Sequence, residues 1–179
     1  ANADKVALTV DASANNASVT LAGDAQSASV TLVQALNAGK TAYVGAAAFT
    51  FDNTATDANL SSLTLSGNGT ASVINANATK LVNVDASGLN SVTFDGKVAA
   101  GLTYASTNAA AETIKLGAGI DNITLGASTY GKVDVVSGLN LVAQAGNAKA
   151  VDATKSDILH ITGVTTVSTG FTTTQTDLD

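Results

Sequence analysis

Histidine, glutamate, cysteine and arginine, which often take part in acid–base, nucleophilic or charge-stabilising chemistry, are rare or absent in this sequence. The 179 residues include one histidine, His160, one glutamate, Glu112, and no cysteine or arginine. A hydrolase or lyase needs clustered carboxylates, or a basic group that abstracts a proton and stabilises negative charge. His160 stands alone on an alternating stretch, without a nucleophile turn or a second histidine, so we expect it on a surface or at a sheet edge. The residues therefore argue against an enzyme.

The composition also limits the partners and the setting of the chain. The formal net charge is −6, and a negative chain without arginine is a poor match for nucleic acid. No apolar run approaches the roughly 18 residues that cross a bilayer, so we expect no transmembrane segment. The absence of methionine indicates a mature fragment or an excised piece of a larger protein. The lack of cysteine suits an exported bacterial surface protein.

Small side chains dominate the apolar part of the sequence. Hydrophobic residues make up 45% of the chain, but much of this fraction is alanine, and aromatic residues make up only 4%. An ordinary two-layer core needs bulkier side chains to fill its interior. A solenoid has a narrower core, because each coil stacks on the next. We therefore predict an all-β chain that forms a parallel β-solenoid (a β-helix) over residues 1–179, as a single domain.

Internal repeats favour the same fold. A pattern of Ser or Asn, an aliphatic residue, Thr, and Leu or Phe recurs at residues 18–21, 29–32, 62–65, 91–94 and 122–125. Such alternation predicts short strands with one buried face, and the Gly, Asn, Asp and Ser residues that follow predict tight corners. Between residues 60 and 141 the strand centres recur roughly every 10 residues. They are predicted at Leu63, Val73, Val82, Val92, Leu102, Ile114, Ile123 and Val133.

Three features of the pattern leave room for other structures. Strands that recur about every 8–12 residues are also typical of a β-sandwich, although Asn68-Gly69 and Asp95-Gly96 are the only Asn-Gly or Asp-Gly pairs in the chain. Residues 33–59 break the rhythm and predict an irregular insertion or a cap. The alanine-rich stretches 46–48 and 109–111 favour short helical turns.

Residues 113–127 combine a glycine-rich turn with an aspartate, in the order Thr-Ile-Lys-Leu-Gly-Ala-Gly-Ile-Asp-Asn-Ile-Thr-Leu-Gly-Ala. This stretch resembles a degenerate calcium-binding nonapeptide of the RTX type. Gly117, Gly119 and Asp121 match the pattern Gly-Gly-x-Gly-x-Asp-x-aliphatic-x in register, whereas Leu116 replaces its first glycine. The resemblance implies a Ca²⁺ site formed by these three matching residues. Such a site is chemically reasonable, because Ca²⁺ takes oxygen ligands from carboxylates and backbone carbonyls.

The repeat pattern and composition of residues 60–165 resemble those of a known class of surface proteins. It is carried by Ala-Glu-Thr-Ile at 111–114, by residues 128–134 and by Ser-Gly-Leu-Asn at 137–140. These segments resemble the Ala/Thr-rich, cysteine-free β-strand-repeat proteins of Gram-negative cell surfaces, which include S-layer proteins and adhesins exported by type I secretion. The resemblance implies an extracellular, structural protein whose partners are other copies of itself and outer-membrane polysaccharide.

Assembly of such a protein has a physical basis in the ends of a solenoid. Open coil ends leave backbone N–H and C=O groups unpaired, and these edges bind another chain unless they are capped. The leading hypothesis is therefore a self-assembling subunit of an S-layer lattice or a surface filament. Two alternatives remain open: a repeat segment of a large RTX-type adhesin, and a pilin-like subunit that assembles by donor-strand exchange.

The aspartates also have a simpler interpretation than metal binding. Asp121 can stabilise a turn by accepting hydrogen bonds from backbone N–H groups. Asp11, Asp85 and Asp152 share the motif Val-Asp-Ala-Ser/Thr at predicted strand ends. We expect a turn-stabilising role for all three.

The calcium hypothesis predicts that a chelator lowers the melting midpoint of the chain. A metal that binds only the folded state stabilises it by mass action, so its removal destabilises the protein. The comparison is thermal melting with Ca²⁺ and with chelator, for the wild type and for Asp121→Ala. We expect a shift in the wild type that the substitution abolishes. An unchanged midpoint, with no effect of the substitution on assembly, would contradict the hypothesis.

Overall fold

The computed structural model describes residues 4–21, 25–52, 59–76, 80–126 and 132–162. These residues form fourteen strands and no helix. The first seven strands are β1 (Lys5–Asp11), β2 (Ala17–Leu21), β3 (Ser27–Val33), β4 (Ala47–Asp52), β5 (Ser62–Gly67), β6 (Thr70–Asn75) and β7 (Asn83–Leu89). The other seven are β8 (Ala100–Ser106), β9 (Thr113–Lys115), β10 (Ile120–Leu125), β11 (Val135–Ser137), β12 (Ala143–Gln144), β13 (Asn147–Val151) and β14 (Ile158–Ile161).

Consecutive strands alternate between two parallel sheets of six strands each. The first sheet has the order β1-β3-β5-β7-β9-β11, and the second has the order β2-β4-β6-β8-β10-β14. Each strand of a sheet is therefore followed by a strand of the other sheet before the chain returns. The exception is the β12–β13 pair, a short antiparallel excursion between β11 and β14.

Side-chain alternation along the strands gives each sheet one apolar face. In β3 and β5, for example, the aliphatic positions are buried and the intervening Ser and Thr positions are more exposed. Parallel pairing in register then aligns the inward side chains of successive strands. The first column, in the first sheet, consists of Val6, Ala28, Leu63, Val84, Ile114 and Val136. The second column, in the second sheet, consists of Leu21, Phe51, Val73, Tyr104, Ile123 and Leu159.

The core lies between the two sheets. Inward side chains from both sheets belong to one buried apolar cluster, and the largest of them are Tyr104, Phe49 and Phe51. Burial is nearly complete in the middle strands and decreases toward both ends of the sheets. Val6 and Leu21 are half-buried at one end, and Val136 and Leu159 are half-buried at the other.

The prediction of an all-β chain with parallel sheets is confirmed in the described residues. Antiparallel pairing there is confined to β12–β13 and two isolated bridges, Leu36 with Tyr43 and Val92 with Val98. The hairpins that a hairpin-built β-sandwich requires do not join the strands of the two large sheets. Among the described residues, we also find no helix long and apolar enough to cross a membrane.

Some local predictions were wrong. The predicted strand at Val92 is instead one side of a turn, because Asp95 and Gly96 fold the chain back and Gly96 has a positive φ of 79°. Val133 precedes β11 and is exposed rather than central to a strand. The stretches 46–48 and 109–111 are not helical, since sheet pairing and loop contacts override alanine's helix propensity.

Residues 33–59, where the repeat rhythm fails, contain both regular and irregular structure. β4 falls inside this range and is an interior strand of the second sheet, between β2 and β6. The connection before it carries the isolated bridge between Leu36 and Tyr43. Residues 53–58 lie outside the described residues, so the predicted insertion or cap is described only in part.

The column arrangement predicts unequal costs for two neighbouring substitutions in β5. Leu63 is fully buried in the first column, whereas Thr64 points to the exposed face. Leu63→Ala leaves a cavity in a narrow core and should lower the free energy of unfolding by about 3 kcal/mol. Thr64→Ala should change it by less than about 0.5 kcal/mol. Urea unfolding of both variants measures the difference, and equal effects would contradict this inward and outward assignment.

Candidate functional site

Asp121 occupies an inward position of β10. The strand alternates so that Asp121, Ile123 and Leu125 are buried, while Asn122 is exposed. The side chain of Asp121 is 1% exposed. The aspartate of the glycine-rich turn therefore lies in the interior between the sheets.

A bulge opposite Asp121 gives its carboxylate a hydrogen-bond donor. β8 has one residue more than β10 at this point, because Ile120 pairs with Ala100 but Asn122 pairs with Thr103. A bulge disrupts the ladder locally and leaves backbone groups without their usual partners. The carboxylate oxygen Oδ1 of Asp121 accepts a hydrogen bond of 2.6 Å from the backbone N–H of Leu102. The side chain thus takes the place of a missing backbone acceptor.

Three glycines allow the backbone to pack closely around this carboxylate. A Cβ atom on Gly101 would lie 2.5 Å from Oδ1 of Asp121. A Cβ on Gly117 would lie 2.1 Å from the carbonyl oxygen of Leu89, and one on Gly119 would lie 2.7 Å from Cα of Gly101. These contacts are shorter than a Cβ tolerates. The glycines of the motif are therefore required by close approach of neighbouring chain segments.

Asp157 is a second buried carboxylate near Asp121. It precedes β14 and is 6% exposed. Its Oδ1 accepts a hydrogen bond of 2.8 Å from the backbone N–H of Asp121, and its Oδ2 accepts one of 2.6 Å from the N–H of Asn140. Successive segments are thus joined by carboxylates that each bind the backbone of a neighbouring segment.

The electrostatics of Asp121 follow from this burial. Burial raises the pKa of Asp121 to about 6 and outweighs the hydrogen bond from Leu102, which lowers it. The nearby charge of Asp157 raises it further, and the backbone N–H of Gly117 lowers it slightly. The second oxygen, Oδ2, has no hydrogen-bond partner among the described residues.

The calcium hypothesis can be compared with these oxygen atoms. Ca²⁺ takes about six to eight oxygen ligands. Of the four carboxylate oxygens of Asp121 and Asp157, three already accept backbone N–H groups. In the described ranges no group of three or more His, Cys, Asp or Glu side chains could hold a metal. The donor set does not by itself fit a Ca²⁺ site, and calcium at Asp121, Gly117 and Gly119 stays a prediction.

The turn-stabilising role predicted for the other aspartates is confirmed for Asp11 and Asp152, whereas Asp85 lies within β7 and makes the same hydrogen bond at a bulge in that strand. In each Val-Asp-Ala-Ser/Thr motif, Oδ1 of the aspartate accepts a hydrogen bond from the backbone N–H two residues later. The distances are 2.8 Å for Asp11, 3.1 Å for Asp85 and 3.0 Å for Asp152. Hydrogen bonds from Ser13, Ser87 and Thr154 are the main reason that the pKa of each aspartate lies below its ordinary value.

A buried polar network around Glu112 was missed by the sequence analysis. The carboxylate oxygen Oε1 of Glu112 accepts hydrogen bonds from Tyr104 Oη at 2.6 Å, Ser106 Oγ at 2.9 Å and Asn75 Nδ2 at 2.5 Å. Glu112 is 2% exposed. Asn75 and Ser106 are register partners at inward positions of β6 and β8. The available signal was a polar residue at an inward position on each of two paired strands.

Burial changes the acid–base properties of this network. Burial raises the pKa of Glu112, and the hydrogen bonds from Tyr104, Ser106 and Asn75 oppose that shift. Burial and the charge of Glu112 both raise the pKa of Tyr104. A shallow groove of about 290 Å³ lies elsewhere, over β1, β3 and β5, where Lys5 is the titratable residue of its lining. His160 is exposed on β14, an edge strand of the second sheet, as its lone position predicts.

Comparisons with known proteins add no assignment. No protein-family model matches the chain, and neither a curated protein nor a solved structure is significantly similar to it. The functional argument therefore rests on the geometry and on the residues.

The raised pKa of Asp121 predicts a specific pH dependence of stability. The pKa of Asp121 is about 6 in the folded protein and 3.8 without the influence of the fold. The folded state therefore binds the proton more tightly than the unfolded state, which stabilises the fold fully below pH 3.8. That contribution is lost as the pH rises through about 6. Relative to Asp121→Asn, the wild type should therefore lose stability on the order of 3 kcal/mol between pH 4 and pH 7. Urea unfolding with chelator present measures this difference.

Asp152→Asn is the matched control for this titration, because Asp152 has the opposite shift. Its lowered pKa gives a contribution that is present above pH 3.8 and lost at lower pH. The difference between the wild type and this variant should stay flat between pH 4 and pH 7. A flat difference for Asp121→Asn as well would show that Asp121 is not held in the interior.

Proposed function

We propose that this chain is a structural, self-associating module of a bacterial cell surface, built as a parallel β-solenoid whose open ends bind further copies. The observation that carries the proposal is that, in the described residues, both sheets end in edge strands at both ends, and that inward side chains there, such as Val6, Leu21, Val136 and Leu159, are only half-buried. The proposal covers a lattice and a filament alike, and it places the chain outside the cell.

The winding of a solenoid is supported by the strand order. Because consecutive strands alternate between the sheets, each consecutive pair adds one strand to the first sheet and one to the second. Both columns then extend by one side chain at every step. The glycines at positions 101, 117 and 119 bring neighbouring segments into backbone contact, which suits stacked coils. The single buried apolar cluster between the sheets suits the continuous core that stacked coils enclose.

The ends of the two sheets provide the surfaces for association. In the described residues, β1 and β2 are the edge strands at one end, and β11 and β14 are the edge strands at the other. Edge strands present unpaired N–H and C=O groups that can pair with another chain. At the second end, further apolar side chains are exposed: Val133, Val135, Leu139, Leu141 and Ile158. Covering them removes apolar surface from water, which favours association.

Composition and resemblance support the extracellular setting. The chain has no cysteine and few charges, and its repeats resemble those of Gram-negative S-layer proteins and secreted adhesins. Outer-membrane polysaccharide is the anchoring partner that this resemblance favours. The alternative of an adhesin repeat segment uses the same fold without association between copies.

Donor-strand exchange, the pilin-like alternative, is less favoured by the described sheets. Strands β3 to β10 are each paired on both sides within their sheet. A donor strand therefore has no interior gap to fill and could only add at an edge. That is the same surface on which the proposed association takes place.

Charges placed on the two faces of the end strands test the proposal. Val136 on β11 and Leu159 on β14 point inward and are half-buried, so lysines there reach water only while the end is open. Association would bury these charges without partners, which is costly. The double variant Val136→Lys/Leu159→Lys should raise the concentration needed for assembly at least a hundredfold, measured by sedimentation and electron microscopy.

The matched control is Ser137→Lys/His160→Lys. It adds the same charge to the same strands, but at exposed, outward positions. Its assembly should stay within a fewfold of the wild type, and circular dichroism and melting should show both variants folded. A wild type that stays monodisperse at every concentration would favour the adhesin-segment alternative. Equal loss in both variants would show that net charge, not the buried end, controls association.

A further inference from the structure

We infer that copies of this chain join head to tail, with β11 of one copy pairing in parallel with β1 of the next, and β14 pairing with β2. The inference rests on the proposed function and names the partner surface and its orientation. The evidence is the direction in which the backbone groups of the four edge strands point.

At the β11 end of the first sheet, the backbone groups that face the open edge belong to a residue whose side chain points inward. The N–H of Val135 donates to the carbonyl oxygen of Glu112 at 2.8 Å, and the carbonyl of Ser137 accepts from the N–H of Leu116 at 2.9 Å. Peptide groups of successive residues in a strand point to opposite sides. The N–H and C=O of Val136 therefore face the open edge.

At the β1 end of the first sheet, the backbone groups that face the open edge instead belong to residues whose side chains point outward. The N–H of Ala12 donates to the carbonyl oxygen of Val33 at 2.9 Å, so the N–H groups of the inward residues of β1 face β3. The peptide groups of Lys5, Ala7 and Thr9 consequently face the open edge. The side chains of these three residues are exposed.

The second sheet follows the same rule. The N–H of Ala17 donates to the carbonyl oxygen of Ala46 at 3.0 Å, so the peptide groups of Ser18 and Thr20 face the open edge of β2. The N–H of Thr162 donates to the carbonyl oxygen of Leu125 at 2.8 Å. Alternation then turns the peptide group of Leu159 toward the open edge of β14.

The two ends are therefore complementary. The β11/β14 end presents backbone groups of residues whose side chains point inward, and the β1/β2 end presents backbone groups of residues whose side chains point outward. Neighbouring strands within a sheet, such as β9 and β11, are joined by hydrogen bonds between these same two kinds of backbone group. A second copy placed by translation along the stack repeats the interior pairing in both sheets. A two-fold arrangement would instead place like edges together and make the strands antiparallel, which does not occur within either large sheet. Head-to-tail contacts related by translation along the stack do not close into a ring, so they produce a filament.

The columns also indicate the register of the contact. Extending the first column places Val136 of one copy beside Val6 of the next, and therefore Val135 beside Lys5. Extending the second column places Leu159 beside Leu21. In each case two half-buried apolar side chains cover one another, as their neighbours do inside the sheets.

Cysteine cross-linking tests this orientation directly, because the wild-type chain has no cysteine. The positions are Lys5 and Val135, which are exposed and would lie on adjacent strands, about 5 Å apart. Treated with a short bis-maleimide under assembling conditions, Lys5→Cys/Val135→Cys should give a ladder of covalent multimers. A mixture of the two single variants should stop at covalent dimers, and neither single variant alone should cross-link.

Thr64→Cys is the control, since position 64 is exposed on an interior strand of the same sheet face. It should stay monomeric under the same treatment. Self-cross-linking of Val135→Cys alone would indicate a two-fold contact and overturn the inference while leaving association intact. Filaments in the microscope without cross-linking between positions 5 and 135 would overturn it in the same way. Failure of the wild type to assemble would overturn both the inference and the proposed function.

Discussion

In-register parallel pairing is the constraint on which the rest of this structure depends. Each strand must place its inward side chains on those of the strand before it, because a shift of one residue would turn the apolar face to solvent. Leucine, valine, isoleucine and aromatic side chains fill most of the core, and alanine occupies a minority of its positions. A column such as the one through Leu63 and Val84 therefore owes its burial to the neighbouring strands above and below. Stability is local to each step and is weakest where a neighbour is missing.

The buried carboxylates show how the chain keeps this register where strands are irregular. At the bulge in β8, Asp121 supplies the acceptor that the displaced N–H of Leu102 needs. The cost is a carboxylate held in the interior with one oxygen unpaired. Glu112 is accommodated differently, since Tyr104, Ser106 and Asn75 satisfy a single oxygen together. Asp121 thus supplies a hydrogen-bond acceptor to the backbone at the bulge, and Glu112 supplies one to polar side chains that lie in the core.

The sequence was sufficient for the fold class and for much of the strand pattern. The centres predicted at Leu63, Val73 and Ile123 lie within strands because alternation of aliphatic and hydroxyl residues reports burial directly. The hydrogen bond within the Val-Asp-Ala-Ser/Thr motifs was also predictable because it is local, although Asp85 makes it inside a strand and not at a turn. The alternation of strands between two sheets was not predictable, because it depends on which segments meet after long separations in sequence.

The environment of the candidate site was hidden for the same reason. The glycine-rich turn suggested metal ligands, whereas the structure turns the Asp121 side chain toward the core, where it accepts a hydrogen bond from Leu102, 19 residues earlier. The Glu112 network joins residues separated by up to 37 positions. Neither contact leaves a periodic mark in the sequence. The available signal was that Asn75 and Ser106 are polar residues at inward strand positions. The alanine-rich sequence around them made these positions hard to recognise as inward.

The Glu112 network has a consequence for how this chain reaches its native state. Near-identical tetrapeptides can replace one another in the sheets, so a pairing that skips one strand in each sheet loses little buried apolar surface. A buried carboxylate has no such freedom, because only the correct alignment brings Tyr104, Ser106 and Asn75 to it. Any skipped arrangement would strand that charge among leucines, at a cost of several kcal/mol. The one glutamate of the chain thus disfavours folding intermediates in which the strands pair in the wrong order.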